Sequence, residues 1–227
     1  MIVLTGASGG IGSVLVRKLT EFDEVIGLYN KTYPKKEVKS NLIYEQLDLM
    51  DENKVAWFIK KYEDQLSKIT VVHCAAIKKD NLSTSFKMED WDNLFGVNLR
   101  GNFILTKHLL VKMIRDNWGR IIHFSSKGSE EGAPGTIAYS ASKTALFGMS
   151  RVLCKEYAKF NITSNVISLG AFDAGLFSKL SQKYKNEIVS KIPSNKLGKI
   201  SDIANAIKFI IDSEYVNGSI ITIDGGT

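Results

Sequence analysis

The sequence predicts an α/β fold in which a parallel β-sheet is covered by helices on both faces. Short apolar runs alternate along the 227 residues with segments whose apolar residues are spaced as on one face of a helix. The first pattern is typical of buried strands and the second of amphipathic helices. Their alternation predicts a doubly wound parallel sheet, here of about seven strands. Because no linker, repeat or low-complexity run interrupts the pattern, we expect a single domain over residues 1–227.

Composition and charge argue against a nucleic-acid partner. With 44% hydrophobic residues, the chain can bury a full core. The 30 Lys and Arg residues against 24 Asp and Glu give a net charge of +6, but the lysines are scattered. A nucleic-acid-binding surface would show a basic stripe interleaved with aromatic residues, and no such stripe is present. We therefore predict no nucleic-acid partner.

The N-terminus and the cysteines predict a cytoplasmic protein. Met1 leads directly into an apolar strand without the regions of a signal peptide, and no apolar run has the length of a membrane span. Cys74 falls in a predicted strand and Cys154 in a predicted helix, at no metal-ligand or redox spacing. We expect a reducing compartment, no metal site and no membrane partner.

A glycine-rich turn follows the first predicted strand. The apolar run from Ile2 ends at Thr5, and Gly6, Gly10 and Gly12 follow before a helical pattern begins. Glycines at a strand-to-helix turn admit positive φ, let the backbone approach a pyrophosphate and leave the helix N-terminus free to face an anion. The turn therefore predicts dinucleotide binding in a Rossmann fold.

The end of the second predicted strand bears on the choice between NAD and NADP. That strand, at 24–28, leads towards Asn30 and Lys31, with Lys35 and Lys36 nearby. An acidic residue at this turn would hold the ribose 2′-hydroxyl of NAD, whereas a cation suits the 2′-phosphate of NADP. Since no acid stands there, we expect NADP(H) to be favoured over NAD(H).

Ser126, Tyr139 and Lys143 carry groups suited to proton transfer to a carbonyl. Ser126 ends an apolar run that is typical of a buried strand, and strand ends are where open α/β sheets place their ligands. Tyr139 and Lys143 are four residues apart at the start of a helical pattern and share one helical face. At about 4 Å and an effective dielectric of about 20, Lys143 would attract a phenolate by about 4 kcal/mol. That attraction would lower the pKa of Tyr139 towards neutrality.

Three polar residues lie within or next to predicted apolar elements. Asn98 falls in a long helical pattern from about Asp90 to Asn117, where an amide is unfavourable by propensity. His73 lies in an apolar strand, where a core residue is a more common role than a catalyst or a metal ligand. Asp48, after the third predicted strand, could meet the adenine or cap the next helix.

Residues 171–195 form the least regular part of the sequence, with aromatic and aliphatic side chains mixed among lysines. Irregular segments of this kind commonly carry function, and lids that close over substrates are among their roles. We predict that residues 171–195 are a substrate lid.

Taken together, the motifs resemble those of the short-chain dehydrogenase/reductase superfamily over nearly the whole chain. They are Thr5-Gly-x-x-x-Gly10-x-Gly12, Asp48, the set Asn98, Ser126, Tyr139 and Lys143, and the closing Asp224-Gly-Gly226. The resemblance is to the single-domain (classical) branch, in the style of bacterial 3-oxoacyl-acyl-carrier-protein reductases, a branch that also serves sugars, steroids and small alcohols. It implies an NAD(P)-dependent oxidoreductase. The expected reaction is NADPH-dependent reduction of a small-molecule ketone to a secondary alcohol, or the reverse.

The resemblance implies a role for each matching residue. Tyr139 would give its proton to the substrate carbonyl as hydride arrives from the nicotinamide, and Ser126 would hydrogen-bond the same oxygen. Lys143 would lower the pKa of Tyr139 and hold the nicotinamide ribose, while Asn98 would position a water that relays protons to Lys143. A homotetramer or homodimer packed through the two long helices is also implied. The residues expected to bind the cofactor are Gly6, Ser8, Gly10, Ile11, Gly12, Asn30, Lys31, Asp48, Leu49, Cys74, Ala75, Ala76, Tyr139, Lys143, Leu169, Gly170 and Phe172.

The sequence departs from the family pattern after two strands. His73-Cys-Ala-Ala76 stands where Asn-Asn-Ala-Gly is usual, and Leu169-Gly170 stands where Pro-Gly is usual. Ala174 takes the place of a Thr that often anchors the carboxamide, so we expect a looser nicotinamide orientation. The departures at Leu169 and Ala174 leave a nucleotide-sensing protein without turnover as an alternative.

A nucleotide-sugar epimerase or dehydratase is a third hypothesis. Its glycine spacing is met by Gly6-x-x-Gly9-x-x-Gly12. Length argues against it, because 227 residues leave no room for the second domain of that branch.

Overall fold

A computed structural model describes residues 1–34, 39–175, 177 and 181–227, and seven strands form one sheet within them. The strands are β1 (Ile2–Thr5), β2 (Val25–Tyr29), β3 (Leu42–Gln46), β4 (Ile69–His73), β5 (Gly119–Ser126), β6 (Ile162–Leu169) and β7 (Ile220–Ile223). Their order across the sheet is β3-β2-β1-β4-β5-β6-β7, and every neighbouring pair is parallel. The predicted α/β fold with a parallel sheet is confirmed.

Helices cover both faces of the sheet, as predicted. The α-helices of the described residues are α1 (Gly12–Leu19), α2 (Glu52–Lys61), α3 (Met88–Phe95), α4 (Gly101–Asp116), α5 (Lys127–Glu131), α6 (Ile137–Tyr157), α7 (Gln182–Lys191) and α8 (Ile200–Asp212). Phe58, Leu105 and Leu153 bring α2, α4 and α6 into one apolar core. Leu15 and Ile207 bring α1 and α8 into the core on the opposite face. Within the described part of the chain, no helix combines the length and the apolar character that crossing a bilayer requires.

The helix predicted from Asp90 to Asn117 is interrupted. A π-helical turn over Gly96–Arg100 joins α3 to α4. Such turns insert an extra residue into the helical ladder and frequently mark functional sites. Here the turn contains Asn98, which is fully buried, and Asn102 Nδ2 donates to the main-chain oxygen of Asn98 (2.9 Å). The π turn therefore directs the Asn98 side-chain amide into the protein interior.

The segment predicted to be a substrate lid, residues 171–195, contains helix α7. Phe172 pairs with Gly198 in an isolated parallel bridge, which ties the start of the segment to the chain just beyond its end. Leu176 and residues 178–180 lie outside the described residues. The lid function stays a prediction.

The strand order reverses between β1 and β4, since the chain adds β2 and β3 on one side of β1 and β4 on the other. Open α/β sheets bind their ligands in the crevice at the carboxyl ends of the strands at such a point. Thr5 joins the two strand ends, because its Oγ1 accepts a hydrogen bond from Ala75 N (3.0 Å). Gly6 is equally close to the same segment: a Cβ at Gly6 would lie 2.8 Å from Ala75 Cα. The topology therefore places the candidate site at the ends of β1 and β4.

Candidate active site

The turn after β1 is a backbone cradle with few side chains. A Cβ at Gly12 would lie 2.2 Å from the main-chain oxygen of Gly6, and Ser8 and Gly10 lie in the same turn. Ile11 precedes α1 without a side-chain capping bond, and the first turn of α1 holds no acidic residue. The positive partial charge of the helix N-terminus is therefore available to an anion, which fits the pyrophosphate of a dinucleotide.

A polar cavity of about 230 Å³ lies at the ends of β2 and β3. Its lining residues are Asn30, Gln46, Asp48 and Lys54. Gln46 Nε2 donates to the main-chain oxygen of Asn30 (2.8 Å), which fixes the turn after β2 against β3. Asp51, and not Asp48, caps α2; the Asp48 carboxylate accepts from Met50 N (3.0 Å) and lines the cavity. The cavity is suited to the adenosine end of a dinucleotide.

Sequence patterns carry no signal for Gln46 or Lys54. Gln46 ends a strand and Lys54 lies in the first turn of a helix, where solvated polar side chains are ordinary. Only the pairing of β2 with β3 brings Gln46 beside the turn after β2. Of the predicted cations, Lys31 is exposed, and Lys35 and Lys36 lie outside the described residues.

Ser126, Tyr139 and Lys143 meet at the carboxyl end of β5. Ser126 is the last residue of β5, and the other two lie near the start of α6, which packs along β5. The Ser126 hydroxyl is close enough to the phenol of Tyr139 to lower its pKa, and Lys143 Nζ lies 6.0 Å from the centre of the Tyr139 ring. The structure brings the three side chains together, and their catalytic roles stay proposals.

Lys143 is buried, with 3% of its surface exposed. Its Nζ donates to the main-chain oxygen of Phe124 (2.7 Å), and Ser125 Oγ donates to the main-chain oxygen of Lys143 (3.3 Å). Burial lowers the pKa of Lys143 to about 8, while the neighbouring Cys74 acts in the opposite direction. The ammonium is therefore still charged at neutral pH and loses its proton just above it.

The predicted fall in the pKa of Tyr139 is wrong for this structure. Burial raises the pKa of the phenol above its ordinary value, the hydrogen bond with Ser126 lowers it, and the Asp80 carboxylate raises it again. Lys143 is not among the groups that shift this pKa, and its Nζ donates to the Phe124 carbonyl instead. Tyr139 is therefore a neutral phenol at neutral pH.

Asn98 holds the loop that follows β4. Its Oδ1 accepts from Ile77 N (2.9 Å), and its Nδ2 donates to the main-chain oxygen of Ile77 (3.0 Å). The same Nδ2 also donates to Ser142 Oγ (3.1 Å) on α6. The side chain thus joins the π turn, the loop and the helix of Tyr139. Its expected role in positioning a relay water stays a prediction.

A buried polar cluster lies behind Lys143, between the sheet and α4. The rings of His73 and His123 stack with 4.9 Å between their centroids, and His73 Nε2 is 2.8 Å from Thr106 Oγ1. Burial lowers the pKa of His123 to about 3 and that of His73 well below its ordinary value. Both imidazoles are therefore neutral at neutral pH. The interpretation of His73 as a core residue agrees with its complete burial.

Three residues expected to bind the cofactor turn their side chains into the apolar cores. Leu49 is buried in the core that contains α2 and α4. Leu169 and Phe172 are buried in the core on the opposite face, where the Phe172 ring packs on Gly198. For these three residues we therefore expect only main-chain atoms to contact the cofactor.

Small residues border the crevice at the ends of β4 and β6. Cys74, Ala75 and Ala76 follow β4 directly, and burial raises the pKa of the Cys74 thiol to about 12. After β6, a Cβ at Gly170 would lie 2.6 Å from Asp224 Cα, so the closing Asp-Gly-Gly motif packs on this turn. The small side chains keep this edge of the sheet accessible to a ligand.

The residues at this edge fit an NAD(P) cofactor. The glycine turn and the uncapped N-terminus of α1 suit the pyrophosphate, and the cavity at β2 and β3 suits the adenosine. Lys143 and Tyr139 stand at the remaining end of the crevice, where hydrogen-bonding groups can hold the nicotinamide riboside. No group of three or more His, Cys, Asp or Glu side chains in the described ranges could hold a metal ion.

Comparison with known proteins identifies relatives along almost the whole chain. A family model described as Enoyl-(Acyl carrier protein) reductase matches residues 6–227. The chain is 35% identical to the 3-oxoacyl-acyl-carrier-protein reductase of Rickettsia conorii, over 99% of this chain and 95% of that protein. It is 33% identical to Nodulation protein G of Rhizobium sp. (strain N33), again over 99% and 95%. The crystal structure of levodione reductase shares the fold, with a TM-score of 0.86 and 24% identity over 99% of this chain and 96% of that one.

The fold and the site define an NAD(P)-dependent oxidoreductase that acts on CH–OH and C=O groups. The chain belongs to the short-chain dehydrogenase/reductase family, as the matching family model and the relatives at 35% and 33% identity show.

Replacing Lys143 by Met tests the burial of its ammonium. The folded pKa of Lys143 is depressed to about 8, whereas an unfolded lysine titrates near 10.4. The charged group therefore destabilises the fold fully below about pH 8, and the destabilisation is relieved as the pH rises to about 10.4. A shift of about 2.4 units corresponds to about 3 kcal/mol. Lys143→Met should raise the free energy of unfolding at pH 7 by up to about 3 kcal/mol, reduced by the lost bond to Phe124.

Urea denaturation at pH 7 and at pH 10 measures this difference, which should fall to about a quarter of its value at the higher pH. Lys155→Met, on the exposed side of the same helix, is the matched control and should change stability by less than about 0.5 kcal/mol. A Lys143→Met variant that is less stable than the wild type at pH 7 would contradict the assigned effect of burial.

Proposed function

We propose that the protein reduces a ketone to a secondary alcohol with NADPH, and that Tyr139 donates the proton. The observation that supports this is the position of the phenol at the carboxyl end of β5, beside the Ser126 hydroxyl and near the Lys143 ammonium. The relatives named 3-oxoacyl-acyl-carrier-protein reductases add support for a ketone at the 3-position of an acyl chain.

Tyr139 carries at neutral pH the proton that ketone reduction requires. Burial raises the pKa of the phenol by more than the Ser126 hydrogen bond lowers it, so the proton is held at neutral pH. Ketone reduction needs a proton donor, whereas alcohol oxidation needs a base at the same position. A raised pKa keeps the donor protonated but makes it a weaker acid than one whose pKa lies near the operating pH. The free site therefore holds the proton that ketone reduction consumes.

In the proposed reaction a nicotinamide held in this crevice would supply the hydride that the carbonyl carbon accepts. Ser126 donates a hydrogen bond to the carbonyl oxygen, and Tyr139 gives its proton to that oxygen as negative charge develops there. The product is the secondary alcohol, and a phenolate remains on Tyr139. The Lys143 ammonium, whose pKa of about 8 keeps it charged at neutral pH, lies 6.0 Å from the centre of the Tyr139 ring and would stabilise that phenolate on turning from the Phe124 carbonyl.

NADPH is the proposed cofactor because a lysine lines the cavity at β2 and β3. Lys54 and Asn30 face that cavity, and the turn after β2 carries no acid to hold a ribose 2′-hydroxyl. Lys54 Nζ lies 3.4 Å from Asp51 Oδ2, with both side chains largely exposed. Exposed ion pairs of this kind contribute little, so a phosphate can displace the carboxylate.

A homodimer or homotetramer is proposed to form through α4 and α6. Phe103 and Val111 on α4 are 48% and 60% exposed, and Val152 on α6 is 53% exposed. An apolar groove of about 460 Å³ runs between the two helices. Contiguous exposed apolar surface marks interfaces, and a second copy related by two-fold symmetry would present the same surface.

A cytoplasmic location is proposed together with this function. Cys74 and Cys154 are both free thiols in the structure. Free thiols are usual where glutathione and thioredoxin keep cysteines reduced.

Tyr139→Phe should lower kcat for ketone reduction by about 10²–10⁴-fold, because the variant has no proton to donate. NADPH binding, followed by the fluorescence of the bound nicotinamide, should be nearly unchanged. Tyr215→Phe, at a fully exposed position, is the control and should retain turnover. Turnover by Tyr139→Phe would rule out the donor assignment.

A wild type that consumes no NADPH with any ketone would favour nucleotide sensing. A tightly retained cofactor without net NADPH loss would favour the epimerase.

Lys54→Met should weaken binding of NADPH by about tenfold and leave binding of NADH nearly unchanged, since a charged hydrogen bond to phosphate is lost. Titration calorimetry with 2′,5′-ADP and 5′-AMP gives the same comparison without the nicotinamide. Lys60→Met, an exposed lysine on the same helix, is the matched control. Equal losses for both nucleotides would show that Lys54 does not read the 2′-phosphate.

Val111→Glu should dissociate the proposed oligomer, because a carboxylate at an apolar interface is left unpaired and desolvated. Sedimentation velocity measures the change in mass. Val14→Glu, on a half-exposed position of α1, is the control. An unchanged sedimentation coefficient for Val111→Glu would place the interface elsewhere.

A further inference from the structure

An ion pair stands beside Tyr139 on the loop that follows β4. Lys78 Nζ lies 5.9 Å from the centre of the Tyr139 ring and 2.9 Å from Asp80 Oδ2. After burial and the Ser126 hydrogen bond, Asp80 is the next influence on the pKa of Tyr139, and it raises that pKa. Both members of the pair are therefore close to the phenol that the proposed reaction uses.

The position of Lys78 is fixed by the loop on either side of it. Ile77 is bonded through both its main-chain N and O to the Asn98 amide (2.9 and 3.0 Å). Asn81 N donates to the main-chain oxygen of Gly135 (2.9 Å), just before α6. These anchors join the loop to the elements that carry Tyr139. The backbone on either side of Lys78 is therefore anchored, which keeps Lys78 close to Tyr139.

The neighbouring lysines are directed elsewhere. Lys79 Nζ lies 2.9 Å from Asp90 Oδ1, and Lys127 Nζ lies 3.9 Å from Glu131 Oε1. Lys143 is buried under the ring, whereas the side chain of Lys78 is 30% exposed and so borders the accessible side. A substrate that places its carbonyl at the phenol would meet the ammonium of Lys78.

The Lys78–Asp80 pair can be exchanged for a pair with a ligand. Asp80 is half-exposed, at 52%, and partly exposed ion pairs contribute little to stability because water screens them. A substrate anion in the crevice would be less hydrated and would form a stronger charged hydrogen bond with Lys78.

We propose that Lys78 binds an anionic group of the substrate, a carboxylate or phosphate a few bonds from the ketone. The enzyme would then prefer free 3-oxo acids and similar anionic ketones over their neutral esters. This inference rests on the proposed ketone reduction. It predicts that the enzyme prefers a free 3-oxo acid to the neutral thioester of a carrier-bound acyl chain.

The test compares acetoacetate with methyl acetoacetate, which share a carbon skeleton and differ in charge. The wild type should show the higher kcat/KM for acetoacetate. Lys78→Met should lower the ratio of kcat/KM for acetoacetate to kcat/KM for methyl acetoacetate by about tenfold. Lys79→Met, which replaces the adjacent lysine paired with Asp90, should leave this ratio unchanged. Dihydroxyacetone phosphate against dihydroxyacetone gives the same ratio for a phosphate.

Asp80→Asn provides the opposite change, because it frees Lys78 from its partner. The ratio of kcat/KM for acetoacetate to that for methyl acetoacetate should rise. Since Asp80 also raises the pKa of Tyr139, the variant alters the proton donor for both substrates alike, and the ratio removes that common effect. Increasing salt should reduce the preference for the anion in the wild type.

Binding without turnover distinguishes the two proposals. In Tyr139→Phe, acetoacetate binding can be followed by the fluorescence of bound NADPH, and adding Lys78→Met should weaken it by about tenfold. Reduction of both substrates with a ratio that Lys78→Met does not change would overturn the role of Lys78 and leave ketone reduction intact. If no ketone is reduced but acetoacetate binding depends on Lys78, the proposed reaction fails and the anion site stands. If no ketone is reduced and acetoacetate binding does not depend on Lys78, both proposals are overturned.

Discussion

The site is built around one buried positive charge, the Lys143 ammonium. A buried cation is costly because it has left water, and here one main-chain carbonyl, that of Phe124, offsets part of that cost. The groups around it are kept neutral: burial raises the pKa of the Cys74 thiol and lowers the pKa of the His73 and His123 imidazoles. At neutral pH the charge of this buried cluster therefore rests on Lys143.

Two opposing effects decide the state of Tyr139. Burial alone would make the phenol a poor acid, and the Ser126 hydrogen bond lowers its pKa without reversing the effect of burial. The resting phenol therefore keeps its proton at neutral pH, and in the proposed reaction Lys143 would act on the charge that is left after transfer. Asp80 and Lys78 add a second, partly exposed pair of charges beside the same ring.

Much of the fold follows from periodicity, because apolar spacing records which side of each segment faces a core. The alternating pattern predicted the parallel sheet, and the glycines after β1 predicted the backbone cradle at its edge. Periodicity could not reveal the π turn at Asn98. The turn places the Asn98 amide against Ile77 and Ser142, which lie far away in sequence. Periodicity also failed on the pKa of Tyr139, because spacing along a helix says nothing about burial.

The sequence by itself determined the order of strands and helices, the dinucleotide turn and the convergence of Ser126, Tyr139 and Lys143 at one strand end. These features depend on local propensity and on the rule that parallel strands share one carboxyl edge. Only the tertiary structure decided that Lys54 enters the adenosine cavity, that Lys78 stands beside the phenol and that Lys143 bonds a carbonyl. Those contacts join segments distant in the chain, and desolvation and side-chain direction exist only once the segments have packed.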